Sequence, residues 1–162
     1  MFSLAILFGG PGPERGISLN SARCVVDHLP DTIHVEAFFC DQSCHFYSLP
    51  SHCLYSNTPA DFDFKLAEVS QPLSTTLFIK QLQQCQLILP LIHGHYGEDG
   101  VLLSLLESYQ LPVVGNSSSV CAKVYPKDLA IECLRSLHLP TVASLRLDTH
   151  TTIAQLRDFL EQ

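Results

Sequence analysis

Apolar residues fall along this chain in short runs, each stopped by a polar or glycine-rich break. Residues 3–8 form the first run and end at Gly9-Gly10. Residues 33–39 form a second and 87–92 a third, Leu-Ile-Leu-Pro-Leu-Ile. Runs this short and this continuously apolar suit strands covered on both faces, as in a parallel sheet. A short further strand is predicted over 44–49, a fourth parallel strand over 111–114 and another strand over 141–147. Between the strands the period changes. Ala22, Val25, Val26 and Leu29 recur at helical spacing, with Ser18 as the predicted N-cap. Residues 74–85 read as a helix with Leu77, Phe78, Leu82 and Cys85 inward. Val101, Leu102, Leu105, Leu106 and Tyr109 make another. A helix over 120–137 is interrupted at Pro126, and a last one starts near Thr151, with Ile153, Leu156, Phe159 and Leu160 on one side. Alternating strands and helices predict an α/β fold with a mostly parallel sheet.

Two loops in this pattern carry chemistry. Gly9 to Gly16 is glycine- and proline-rich and lies between a strand and a helix, where backbone N–H groups and the helix dipole can hold an anion. The dinucleotide fingerprint is absent, because Arg15 stands at its third glycine position. The second loop, residues 93–100, holds His93, His95, Glu98 and Asp99 among three glycines. Asp99 suits the cap of the helix that follows. If the sheet is parallel, the loops after the first and third runs meet at one edge, the place where open α/β sheets bind ligands.

Composition narrows the partners. Net charge is −7 and there is no basic run, which argues against nucleic acid or an anionic membrane surface as partner. No apolar stretch is long enough to span a bilayer, and the first residues lack the basic region of a signal peptide. Seven cysteines is an odd number, and they are scattered among apolar neighbours, which fits reduced thiols in the cytoplasm. Cys40, Cys44, His45, His52 and Cys53 cluster in sequence but match no common zinc spacing, so no metal site is predicted.

The residues resemble a family. Gly9-Gly10, Glu14-Arg15, Ile17-Ser18-Leu19 and Ser21-Ala22 are similar to the N-terminal signature of D-alanine–D-alanine ligases. His93-Gly94, then Gly97-Glu98-Asp99-Gly100 and Leu106-Glu107, resemble their second signature. Leu111-Pro112, Gly115, Ser119 and Lys127 resemble the crossing into the family's ATP-grasp part. Leu139-Pro140-Thr141 resembles the strand that follows.

The resemblance implies a Rossmann-like pre-ATP-grasp substrate domain over residues 1–118 and the beginning of an ATP-grasp domain over 119–162, with the rest of the protein outside this sequence. It implies a cytoplasmic, ATP- and Mg²⁺-dependent carboxylate–amine ligase. Such an enzyme is usually homodimeric and makes D-alanyl-D-alanine for peptidoglycan. Glu14 is implied as the group that holds the ammonium of the first D-alanine, and His93 as the residue near its carboxylate. Glu98, Ile17 and Ser18 are implied beside the same pocket, and Lys127 at the ATP phosphates. Metal ligands are implied in the absent part, so the 162-residue chain alone is expected to be inactive. Departures are Gly12, Gly16, Leu103, Ser104 and Tyr125-Pro126. Two other readings remain open: an amino-acid-binding remnant without catalysis, and an ATP-grasp ligase for a different carboxylate.

Overall fold

The computed structural model describes residues 1–161 apart from 56, 57, 59, 60, 63, 65 and 67–70; the His52 side chain also lies outside the described residues. The chain divides into two compact units, Met1–Ala122 and Lys123–Gln162.

In the first unit a four-stranded sheet has the order β3-β2-β1-β4. Its strands are β1 (Phe2–Gly9), β2 (Ile33–Cys40), β3 (Phe46–Leu49) and β4 (Leu87–Pro90). β1 pairs in parallel with β2 on one side and with β4 on the other. β3 closes the edge beside β2 in antiparallel sense. The helices are α1 (Arg15–His28), α2 (Thr75–Leu82), α3 (Val101–Ser108) and α4 (Ser118–Val124).

Strand β1 explains its own composition. Side chains alternate between the two faces of a strand. Leu4, Ile6 and Phe8 pack with Leu19 and Ala22 of α1. Ala5 and Leu7 pack on the opposite face with Phe78 of α2 and Leu102 of α3. Both faces of β1 are dry, so no polar alternation is possible. Phe78 is itself clamped by aromatic rings: it stacks on Phe46 at 4.1 Å and meets Phe38 edge-on at 5.6 Å.

Several boundaries differ from the sequence reading. Helix α1 starts at Arg15 with Glu14 at the N-cap, so Ser18 lies inside the first turn. Ser18 is fully buried and its hydroxyl is used elsewhere, so it has no capping role. Residues 111–114 form only a single parallel bridge, Ile88 to Val113. Pro112 has no N–H to give to a ladder, which keeps the pairing this short. In α2 the inward residues are Phe78, Ile79 and Leu82, while Leu77 is exposed.

The second unit holds α5 (Lys127–Ser136) and α6 (Ile153–Leu160). Pro126 sits at the N-cap of α5, so the proline starts this helix. Helix α6 opens with a capping box between Thr152 and Gln155. Residues 141–147 form no strand. A strand exists only through a ladder partner, and the described residues of this unit offer none. Neither helix of the unit contains a buried residue, and Leu137, Val142, Leu147, Ile153 and Leu160 are exposed. Of the apolar side read for the last helix, Ile153 and Leu160 are exposed, while Leu156 and Phe159 are partly covered.

Candidate functional site

The sheet order places a switch point between β1 and β4. From β1 the chain runs through α1 to β2; β4, on the other side, is followed by α3 on the opposite face. Because the two strands are parallel, the loops after them emerge at the same carboxyl edge, where such sheets open a crevice. The predicted meeting of the Glu14 loop and the His93 loop is therefore observed.

Hydrogen bonds tie the two loops together. The Ser18 hydroxyl accepts from the Gly9 N–H at 2.8 Å and donates to the Leu91 carbonyl at 2.7 Å. One buried side chain thus links the end of β1, the first turn of α1 and the chain leaving β4. The Gly10 N–H donates to the Cys40 carbonyl at 2.9 Å, which adds the end of β2. One turn beyond Ser18, the Ser21 hydroxyl lies 3.1 Å from His93 Nε2. On the other side of that ring, Nδ1 lies 3.2 Å from Glu98 Oε1.

Two glycines permit this closeness. A Cβ on Gly10, whose φ is +102°, would lie 2.5 Å from a methyl carbon of Ile92. A Cβ on Gly97 would lie 2.0 Å from the Ile92 carbonyl oxygen. Neither position has room for any side chain.

Asp99 shapes the rest of the second loop. Its carboxylate accepts from the Tyr96 N–H at 2.8 Å and the Val101 N–H at 3.0 Å; the N-cap of α3 is Gly100, so Asp99 meets the first N–H of the helix from the position before the cap. His95 Nδ1 lies 2.7 Å from the same carboxylate. Burial works against ionisation of Asp99, but these N–H bonds and the His95 ring outweigh it and hold the carboxyl below its ordinary range. Tyr96 is pushed the other way: burial raises its phenol well above the usual value, and Cys40, Cys44 and Asp99 add to this. It stays neutral and packs at the rim of the core. Burial likewise raises the Cys40 thiol, with Cys44 and Asp41 reinforcing it. Among the described residues no group of three or more His, Cys, Asp or Glu side chains is placed to hold a metal ion.

A cleft of about 200 Å³ opens beside the His93 loop. Its walls include His93, Glu98, Leu103, Asn116 and Cys121. It is smaller than the roughly 300–1,000 Å³ of sites for drug-sized ligands and suits a small molecule. Of the residues singled out in the sequence, His93 and Glu98 line it. Ser18 is buried and spends its hydroxyl on the backbone. Glu14 is exposed at the N-cap of α1 and makes no side-chain capping bond, so its carboxylate is available where the helix dipole favours negative charge. Ile17 is exposed one turn from Glu14. Lys127 is the first residue of α5, in the second unit.

Sequence reasoning missed Ser21 as a partner of His93. The available signal was its place three residues after Ser18, on the same side of α1. It also missed the role of Glu107. This carboxylate accepts from the Ser118 backbone N–H at 2.7 Å and from the Ser118 hydroxyl, which lowers its pKa and joins the end of α3 to the start of α4.

The family model described as D-ala D-ala ligase N-terminus matches residues 3–116. The chain belongs to this family. The D-ala D-ala ligase N-terminus match includes both loops of the crevice. Among relatives, the D-alanine–D-alanine ligase of Prosthecochloris aestuarii is 29% identical over 167 aligned residues, covering 95% of this chain and 45% of the relative. A solved D-alanine–D-alanine ligase from Coxiella burnetii superposes with a TM-score of 0.81 at 24% identity, over 99% of this chain and 49% of that one. A Bacillus anthracis D-alanine–D-alanine ligase complexed with ATP superposes with a TM-score of 0.66 at 16% identity, over 98% and 44%. The chain thus spans less than half the length of these ligases. Among the described residues no helix is long and apolar enough to cross a membrane.

Proposed function

We propose that this chain is the amino-terminal part of an ATP-dependent D-alanine–D-alanine ligase, whose full-length form makes D-alanyl-D-alanine for peptidoglycan synthesis. The observation that carries the reading is the joining of the two family loops at the β1–β4 crevice, with His93 held between Ser21 and Glu98 and Glu14 standing on the adjoining loop.

A free amino acid carries an ammonium and a carboxylate. In this reading Glu14 meets the ammonium of the first D-alanine and His93 lies at its carboxylate. Glu98 holds the ring, Ser18 fixes the loops behind it, and Ile17 borders the pocket. Residues 1–118 serve as the substrate domain and 119–162 as the beginning of the ATP-grasp domain. Amide formation by such ligases is mostly positioning and charge stabilisation.

For the nucleotide, Lys127, Arg135 and Arg146 line one cleft of about 300 Å³, together with Asp128 and Glu132. Arg146 is paired with Asp128 at 2.6 Å, and Lys127 at the helix start is the cation we assign to ATP phosphates. This cationic donor set fits phosphate oxygens. ATP, when bound, supplies the phosphoryl group that activates a carboxylate for attack by an amine. The Mg²⁺ ligands, homodimer contacts and remaining nucleotide contacts belong to the full-length cytoplasmic enzyme.

The test is a titration of the ¹⁵N-labelled chain with D-alanine and, separately, L-alanine. D-alanine should move the amide resonances of residues 9–18 and 93–98 first, and L-alanine should move them less. Phosphate release with ATP, Mg²⁺ and D-alanine should stay at the blank, because most of the ATP-grasp part is missing. Shifts confined to other residues would overturn the site. A stronger response to another carboxylate would favour a ligase of different substrate. Full D-alanine binding in a gene that ends at this chain would favour the non-catalytic remnant.

A further inference from the structure

We propose that Ser21 is a positioning residue that, together with Glu98, fixes His93 in one tautomer and one ring orientation. This deepens the reading that His93 lies beside the first D-alanine: with both ring nitrogens engaged by the protein, the ring shapes the site by its fixed placement and donates no hydrogen bond to the ligand, and the proposal rests on that reading for its effect on binding but not for its structural part.

The argument starts from the donor inventory. An ionised carboxylate only accepts hydrogen bonds. Glu98 Oε1 lies 3.2 Å from Nδ1, so Nδ1 carries the proton. In the neutral ring Nε2 then holds a lone pair, and the Ser21 hydroxyl, 3.1 Å away, is the donor to it. The ring is bonded at both nitrogens by partners on two different elements, α1 and its own loop. A flip about χ2 would put carbon atoms against both partners and lose both bonds. The ring edge is therefore set before any ligand arrives.

Ser21 has a competing use. A serine inside a helix can donate back to the carbonyl one turn earlier, in this case that of Ile17. The structure directs the hydroxyl to His93 instead, across 72 residues of sequence. Glu98 alone is a weaker clamp, because its side chain is 53% exposed and water competes for it. Ser21, half-buried against the ring, supplies the second point of fixation. Without it the imidazole regains rotational freedom that a ligand must remove on binding.

The experiment uses the full 162-residue chain as wild type, Ser21→Ala and Ser21→Thr. Long-range ¹H–¹⁵N spectra of the histidine rings read the tautomer directly. His93 should be a single Nδ1–H tautomer in the wild type, a mixture in Ser21→Ala, and single again in Ser21→Thr, which keeps the hydroxyl. Alanine is the best helix former, so the fold persists, and the amide spectrum verifies it. D-alanine affinity should fall about three- to tenfold in Ser21→Ala, the range for one lost neutral hydrogen bond, and return in Ser21→Thr. An unchanged His93 tautomer in Ser21→Ala overturns the proposal, as does unchanged D-alanine affinity in a wild type that binds it. A tautomer change in Ser21→Ala in a chain that binds no D-alanine upholds the positioning of His93 and sinks the substrate reading instead.

Discussion

Replacing Ser18 by alanine should loosen the join between the two crevice loops, by an amount the structure lets one work out. The Ser18 hydroxyl is fully buried and serves two backbone groups, the Gly9 N–H at 2.8 Å and the Leu91 carbonyl at 2.7 Å. Alanine leaves both without that partner. The Gly9 N–H is buried, and an unsatisfied buried donor costs about 1–3 kcal/mol. The Leu91 carbonyl is only part-buried and water can reach it, so its loss falls at about 1 kcal/mol or less. Alanine also raises helix propensity slightly, which offsets a few tenths. The sum is about 1–3 kcal/mol. The assay is urea unfolding followed by circular dichroism. With a slope of about 2 kcal/mol per molar urea, the midpoint should drop by roughly 0.5–1.5 M. Ser21→Ala, which removes a half-buried bond to a side chain, should cost less than half as much. A Ser18→Ala midpoint within about 0.3 M of wild type, at unchanged slope, would refute the assignment of Ser18 as the link between the loops.

Two further outcomes are expected. In the full-length enzyme, Glu14→Gln removes a charge-assisted bond of about 1.5–3 kcal/mol, so apparent D-alanine affinity should fall by about one to two decades while ATP affinity changes much less; steady-state kinetics varying each substrate separately decides it, and a change in ATP affinity alone contradicts it. Asp99 has its carboxyl lowered from 3.8 in the folded chain, so it contributes stability above that pH which is lost as pH falls through the lower folded value. Urea midpoints of wild type and Asp99→Asn should therefore converge in acid below pH 3.8, and a gap that stays constant through that range would show that the carboxylate charge contributes nothing.

The sequence made β1, β2, β4 and most helices legible for a physical reason. A strand covered on both faces must be continuously apolar, and the residues that cover it must recur at helical spacing. The parallel arrangement then brought the two polar loops to one edge without further information. Other features depended on partners that lie far away along the chain. Ser18 had the composition of an N-cap, but Pro13 and Glu14 start the helix earlier and burial claims the hydroxyl. Residues 141–147 had strand composition without a strand beside them. The Ser21–His93 bond spans 72 residues, and no local pattern announces it. Glu107 stood in a recognised motif, yet its grip on Ser118 shows only in three dimensions.

The close approach at Gly97 has a consequence for inherited variation. The space a β-carbon would need there is held by the carbonyl oxygen of Ile92, a backbone atom that no repacking can remove. Every amino-acid replacement at this codon, conservative or not, meets the same obstacle. His95 behaves differently, since its exposed side chain can change without steric conflict. A saturation library across this loop, scored for folding, should return the Gly97 and Gly100 columns empty except for glycine, because a β-carbon on Gly100 would lie 2.4 Å from the Ser118 carbonyl oxygen, while the column of exposed His95 tolerates many letters. The chemistry of the crevice can drift, but the path of the backbone that carries it cannot.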